Sequence, residues 1–304
     1  MIAIVIVSYN SKEFLADCLN SVQTACQRVT ADVWVVDNAG TDGTAAYVRE
    51  NFPWVRVLEA PKNGGFSYGN NLALQDAGFP HNASYSAALL LNPDTTLEPD
   101  SLEKLVGYLQ AHPQVGVVGP KLLLKDGTLD KACKRGEPTL ATTFYHFSGL
   151  AKLFPKNRRF GKYNMTFVGN DEMAQVDAVV GACMLVRGSA IQQVGLLDEQ
   201  FFMYGEDLDW CIRIRNAGWQ VVYYPSAVVH HWKGTSSRKQ ADPMLRAFYD
   251  AMTIFYRKHY APTHSAFTNW LVPAAISLLC NAKLVLNSLK PAEQRTVGSA
   301  PKQG

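Results

Sequence analysis

The chain has 304 residues, 47% hydrophobic and 18% charged, a globular composition that excludes a disordered or fibrous chain and suits one large domain with an appendage. Its six cysteines (Cys18, Cys26, Cys133, Cys183, Cys211, Cys280) are scattered without a C-x-x-C, which argues against a zinc ribbon or disulfide framework and suits reduced thiols in a cytosol. Net charge is +3 but uneven: from residue 233 onward ten Lys and Arg face three Asp and Glu, so the preceding 232 residues hold 19 against 23, and the basic tail is expected to meet an anionic surface unless it is merely solvated.

Residues 2–7 are a continuous apolar run rich in β-branched side chains, as in a strand buried on both faces of a parallel sheet. No basic stretch precedes this short run, so it reads as a strand and not as a signal peptide. Ser8, Tyr9, Asn10 and Ser11 end it, and Phe14, Leu15, Cys18, Leu19 and Val22 then recur at helical spacing. A second strand at 33–36 runs into a polar glycine loop, 37–44, followed by a helix at 45–50. A third strand at 55–58 ends in Pro61-Lys62-Asn63-Gly64-Gly65, with a helix over roughly 67–76. A fourth at 87–91 ends in Asn92-Pro93-Asp94. This alternation predicts an α/β fold with a mostly parallel sheet, in which ligands bind beyond the carboxyl ends of the strands.

Asp37, Asn63, Asn92 and Asp94 all fall at such ends. Asp37 can accept a hydrogen bond from a base N–H or a ribose hydroxyl, or it can close an Asx-turn. Asp94 can hold a divalent ion through oxygen, or cap the helix that begins near Pro99. There is no G-x-x-x-x-G-K-[ST] and no G-x-G-x-x-G after the first strand, so P-loop and dinucleotide-binding readings lose support.

Further strands are expected at 115–118 and 122–124. Between 129 and 174 the periodicity weakens, and basic residues (among them Lys152, Lys156, Arg158 and Arg159) mix with aromatics such as Phe144, Phe147 and Phe154; this is expected to be a lid or acceptor-side loop. The run 176–186 is apolar and β-rich, broken at Gly181-Ala182 either for close approach of a ligand or by a bulge. The segment GLLDEQFFMYGEDLD, 195–209, sets five carboxylates among Phe201, Phe202, Met203 and Tyr204. Apolar walls raise a carboxyl's pKa and make it a usable proton acceptor. Helical spacing after Gly205 puts Glu206 and Asp207 at a helix N-terminus, where an acidic N-cap is the plainer alternative. A late strand at 221–224 leads to His230 and His231, a metal-ligating pair or a structural one. The tail, 244–290, reads as helical; its apolar stretch 270–289 is long enough to span a membrane, while Asn281 and Lys283 favour an interfacial amphipathic helix over a spanning one, with packing on the domain as the third option.

Taken in order, IVSYN at 6–10, VVDNAGTDGT at 35–44, NGGFSYGNN at 63–71, LLNPDTTLEPD at 90–100, VVGACMLVRGSAI at 179–191, the block 194–219 around GEDLDW, and HHWKGTS at 230–236 resemble the inverting glycosyltransferases of family 2, with the GT-A fold, nearest to a bacterial rhamnosyltransferase-like branch. The likeness covers about three quarters of the chain, residues 2–236. It implies a catalytic domain over 1–236, with a nucleotide-sugar half to about 98 and an acceptor half from 99, and a helical, membrane-associated extension over 237–304. It implies that Ser8, Tyr9, Asn10, Asp37, Asn63, Gly64, Asn92 and Asp94 bind the nucleotide sugar. Asn92 and Asp94 occupy the D-x-D position, with Asn in place of the first acid. Asp207 matches the catalytic base, with Glu206 beside it; Gly181, Ala182 and Tyr204 line the acceptor side. Asp94 and His231 would hold a divalent cation, Mg²⁺ or Mn²⁺. Where this branch often has Trp, Ala178 follows Asp177, which alters the acceptor pocket.

The partners so implied are a nucleotide-sugar donor, dTDP-rhamnose among the options, and a glycan or lipid-linked acceptor for cell-surface polysaccharide, with no nucleic acid. The protein would be cytoplasmic and peripheral on the inner membrane face. A nucleotidyltransferase making nucleotide sugars would instead carry a glycine-rich basic loop after the first strand, where Ser8-Tyr9-Asn10-Ser11 stands. A non-catalytic nucleotide- or carbohydrate-binding protein would have no need of Asp207.

Overall fold

The computed structural model of the chain describes residues 1–232, 241–290 and 295. The block expected at 230–236 therefore lies partly outside the described residues. Nine strands form one sheet: β1 (Ile2–Ser8), β2 (Ala31–Asp37), β3 (Arg56–Glu59), β4 (Ala87–Leu91), β5 (Thr95–Leu97), β6 (Val115–Leu124), β7 (Ala174–Gln175), β8 (Cys183–Arg187) and β9 (Gln220–His231), in the order β3-β2-β1-β4-β8-β6-β9-β5, with β7 also on β9. Helices α1 (Lys12–Ala25), α2 (Thr44–Asn51), α3 (Gly65–Asp76) and α4 (Ser101–Ala111) accompany the first half. Between β6 and β7 lie α5 (Leu140–Phe147) and α6 (Leu150–Leu153), and after β8 come α7 (Gly188–Val194) and α8 (Glu206–Asn216).

The first half is wholly parallel, and its register matters for function. Ser8 lies opposite Asp37, Asp37 opposite Glu59, and Ile6 opposite Leu91. The carboxyl ends of β1, β2, β3 and β4 are thus nearly flush, and the polar residues that follow them share one edge. These strands stay together because their side chains are apolar on both faces: Ile4, Val5, Ile6, Trp34, Val35, Leu89 and Leu90 are all buried. At about 1.5–3 kcal/mol for each large side chain removed from water, this layer is the main stabilising term.

Beyond β4 the sheet is mixed, since β8 enters antiparallel to both β4 and β6. The two strands expected at 115–118 and 122–124 are one, β6, whose ladder slips register at Pro120/Lys121. Proline removes a ladder donor, and a bulge accommodates it without ending the strand. Likewise β9 continues through Pro225, on the other side of the same slip, to His231. Of the expected β-rich run at 176–186 only the last third is strand; 176–182 is mostly buried but irregular, because after Val176, which still donates to Val221 of β9, the backbone of Asp177, Ala178 and Gly181 pairs with residues outside the sheet.

The tail forms α9 (Ala241–His259) and α10 (Ala266–Ser288). Leu245 and Tyr249 pack on Ile276, flanked by Phe248, Met252, Val272 and Cys280. Asn287 bonds to Asp242 while Tyr256 bonds to Asn269, so the two helices run antiparallel as a hairpin. Ala251 and Phe255 of α9 belong to the main core. Among the described residues α10 is the one helix long and apolar enough to cross a membrane, and its outer face leaves Phe267, Trp270, Leu278 and Val285 exposed.

Candidate active site

At the flush edge, the loops after β1, β2 and β3 are tied to one another. Ser8 and Ser11 share a hydroxyl hydrogen bond of 2.8 Å, and Asn10, in a left-handed conformation, accepts the Thr41 N–H at 2.7 Å. Tyr9 between them is half-buried. Asp37 is buried; one carboxyl oxygen accepts the Gly40 N–H at 2.8 Å and the other the Ala45 N–H at 3.3 Å. The Asx-turn role open to it from sequence is thus present in the fold, and a Cβ on Gly40 would stand 2.8 Å from that carboxyl. Asn38, which the sequence motifs left without a role, is buried and works as the cross-link: its Nδ2 donates to Asn63 Oδ1 (3.1 Å) and to the Gly65 carbonyl (3.0 Å), and its Oδ1 accepts the Gly64 N–H. Gly65 has φ +86°, and a Cβ there would lie 2.0 Å from the Phe202 carbonyl, which accepts the Phe66 N–H at 2.7 Å. The Asn63-Gly64-Gly65 turn is therefore seated directly on the segment leading to Asp207.

The loop after β4 carries the next pair. The Asn92 N–H donates to the Ala182 carbonyl at 2.9 Å. Asp94 does not cap α4, whose N-cap is Asp100. Its carboxyl instead faces His231, with Oδ1 3.4 Å from Nε2, and its carbonyl accepts the Trp232 N–H. The other ring nitrogen of His231 meets Asp130, itself buried, at 3.1 Å. An imidazole oriented by a carboxylate and presenting its second nitrogen beside another carboxylate is a recurrent arrangement for metal-ligating histidine. Two ligand atoms on one small divalent cation, each about 2.1 Å from it, stand roughly 3 Å apart, so Asp94 and His231 fit that group as a pair. Among the described residues no group of three or more His, Cys, Asp or Glu is placed to hold a metal ion. His230, by contrast, bonds Glu98 at 2.8 Å and stacks on Trp232.

The third wall is the start of α8. Tyr204 and Gly205 both have positive φ (70° and 79°), a sharp turn that delivers Glu206 and Asp207 to the first helical turn. Asp207 is buried. Its Oδ2 accepts from Arg135 Nη2 at 2.7 Å and from the Gly181 N–H at 3.0 Å, and Oδ1 accepts the Leu208 N–H. Arg135 also bonds the Val179 carbonyl through the same nitrogen, and its main chain pairs with Ala178. Burial works against its guanidinium charge, but Asp207, with Tyr163 and Cys211, outweighs that and raises its pKa. With Asn38 and Asp130, Arg135 is a site residue that sequence reasoning missed. It lies 72 residues before Asp207 in a segment without periodicity, and no spacing marks it.

Glu206 is the carboxyl that feels the apolar walls: burial, then the charge of Asp207, push its pKa up to about 8, and its Oε2 has no hydrogen-bond partner among the described residues. Burial followed by Glu206 also raises the Tyr204 hydroxyl, to about 12. One turn on, Asp209 is fully buried; burial opposes its charge, yet His259, Arg213 and Lys258 together hold it down to about 2. That cluster ties α8 to the end of α9.

The structure thus sets the loop of Asn92 and Asp94, with His231 beside it, at one end of the Gly181-Ala182 segment and Asp207 at the other. Gly181-Ala182 joins them: Gly181 donates to Asp207, and Ala182 accepts from Asn92. Asp37, Asn63 and Gly64 lie along the same edge. A Cβ on Gly181 would crowd the Phe66 ring at 3.1 Å, so packing inside the protein already calls for a small residue here, whether or not a ligand approaches.

Comparison with known proteins bears on the family and the fold. Residues 1–249 match the family model described as "Glycosyltransferase like family 2". An N-acetylglucosaminyl-diphospho-decaprenol L-rhamnosyltransferase of Mycobacterium tuberculosis is 30% identical over 302 residues, covering 97% of this chain and 96% of the relative. Rhamnosyltransferase WbbL of Escherichia coli is 28% identical over 181 residues, 57% of this chain and 63% of that one. Among solved structures, the mannosyltransferase PcManGT of Pyrobaculum calidifontis, in complex with GDP-Man and Mn²⁺, superposes with a TM-score of 0.58 at 16% identity over 95% of this chain and 76% of that chain, and shares its GT-A fold.

Proposed function

Because the chain belongs to glycosyltransferase family 2, we propose that it is an inverting transferase that moves a sugar from a nucleoside diphosphate to a hydroxyl of a lipid-linked acceptor in cell-surface polysaccharide synthesis. The observation that carries the reading is the single bridge, Gly181-Ala182, between Asp207 and the loop of Asn92 and Asp94. This link supports a reading in which Asp207 serves as the proton acceptor and Asp94 as the phosphate-side carboxylate, with the sugar held between them.

In this mechanism Asp207 takes the proton of the acceptor hydroxyl as that oxygen attacks the anomeric carbon. The new C–O bond forms as the bond from the anomeric carbon to the diphosphate breaks, and the configuration inverts. Arg135 and the Gly181 N–H hold the carboxylate in place. Burial and then the neighbouring Asp207 push the Glu206 pKa up to about 8, which favours its protonated form. Asp94 and His231 would hold a divalent cation, which when bound neutralises charge on the departing diphosphate. Asn38 and Asp37 keep the nucleotide-side turns in register.

The near full-length M. tuberculosis relative favours a rhamnosyl donor such as dTDP-rhamnose and a polyprenyl-diphosphate amino sugar as acceptor. An acceptor of that kind sits in a bilayer, which accords with a peripheral location on the cytoplasmic face of the inner membrane, held by the outer face of α10. Asp207→Asn is expected to lower transfer by roughly 10²–10⁴-fold while donor affinity, measured by calorimetry, stays within about twofold. Turnover near wild type would reject Asp207 as the base.

A further inference from the structure

We infer that the excursion between β6 and β7 is a docking surface for an anionic phospholipid bilayer, distinct from the tail. Residues 138–170 contain Lys152, Lys156, Arg158, Arg159 and Lys162 and no Asp or Glu, in a chain whose other 24 basic residues face 26 acidic ones. Within it, α5 is turned inside out. Leu140, Phe144 and Phe147, at i, i+4 and i+7, are 40, 62 and 53% exposed. The buried side of the same helix carries Thr142, whose hydroxyl donates to the Glu137 carbonyl, and Thr139 caps the helix start. A helix covering a soluble core puts its apolar stripe inward; this one puts it outward. Leu153 and Phe154, 72 and 52% exposed, extend the apolar surface past α6.

The cations stand among these rings. Arg159 donates to the Tyr145 hydroxyl at 2.9 Å and lies over its ring, and Arg158 lies over Phe167. Lys162 is paired with Asp177 at 3.5 Å; the exposed aromatics together with Lys152, Lys156, Arg158 and Arg159 make up an interfacial element, whose apolar side enters the acyl boundary while its charges meet lipid phosphate. A second copy of the chain fits worse, because a two-fold contact would set these four cations against four like charges. The root of the excursion also joins the tail: Glu137 accepts the Tyr260 hydroxyl at 2.8 Å, seven residues before exposed Phe267. Two apolar surfaces therefore start from neighbouring points, both close to Arg135 and hence Asp207.

The test is binding of the full chain to phosphatidylcholine vesicles with and without phosphatidylglycerol, in the absence of any sugar donor. Its failure therefore leaves glycosyl transfer untouched. At about fivefold per cation near the surface, the quadruple variant Lys152→Gln, Lys156→Gln, Arg158→Gln, Arg159→Gln is expected to bind the anionic vesicles roughly 100-fold or more weakly than wild type, with Phe144→Ser/Phe147→Ser also weakened. Hydrogen exchange on the wild-type protein should show vesicle-induced protection over 140–160, an arm that needs no variant to fold. Variants that bind as wild type, protection confined to 266–289, or a wild-type dimer that these variants dissociate would each overturn the inference.

Discussion

Arg135→Met tests the least expected contact in the site. The Arg135 and Asp207 side chains are only 10% and 8% exposed and 2.7 Å apart, so their attraction is screened little by solvent. At an effective dielectric of about 20 that attraction is worth about 6 kcal/mol before desolvation is subtracted. Removing one partner of such a buried pair leaves the other uncompensated and typically costs about 3–5 kcal/mol. Arg135→Met is therefore expected to lower the melting temperature by roughly 10 °C. Asp207→Asn in the same chain should recover part of that loss, since it removes the stranded charge. The assay is a double-mutant cycle by denaturant unfolding, with transfer activity in parallel: stability should be partly restored in the double variant and activity should not. A single variant within about 1 kcal/mol of wild type, or a strictly additive cycle, would refute the claim that these groups are coupled in solution.

Asp130→Ala, which removes the carboxylate behind His231 without touching the donor, should weaken cation-dependent donor binding about 10–100-fold by calorimetry and leave cation-independent binding unchanged. Glu206 holds a proton in the folded state up to about pH 8 that the unfolded chain releases near its ordinary value of 4.5, so stability should fall as pH rises between those values; Glu206→Gln should flatten that fall in denaturant midpoints. Asp209 acts in the opposite window, with stability present above 3.8 and lost as pH falls toward 2, so Asp209→Asn should blunt acid unfolding. Gly65→Ala must place a Cβ against the Phe202 carbonyl at a positive φ, and should cost at least about 2 kcal/mol, read as a shifted unfolding midpoint.

Much of the nucleotide-side half was legible because its signals are local. A continuous apolar run such as 2–7 or 87–91 is a two-sided buried strand whatever surrounds it, and the polar turn that ends each run marks a strand end. β4 begins and ends where the residues predict, and α8 starts at Glu206 as Gly205 implies. The acceptor half was less legible. Prolines 120 and 225 look like strand breakers in sequence, yet each sits at a register slip that only the pairing of β6 with β9 reveals. The irregular stretch 129–174 has no period from which to read its helices, and α5 has its apolar stripe on the outside.

By itself the sequence determined the alternating α/β order, the family, and the short list of strand-end and helix-start polar residues, because hydrophobic period and turn chemistry are properties of neighbours in the chain. Tertiary structure alone decided what holds those residues: Arg135 on Asp207 across 72 positions, Asp130 on His231 across 101, Asn38 on the glycine turn across 25. Charge pairing and hydrogen bonding depend on distance in space, and no local pattern encodes which distant segment folding will set beside a buried carboxyl.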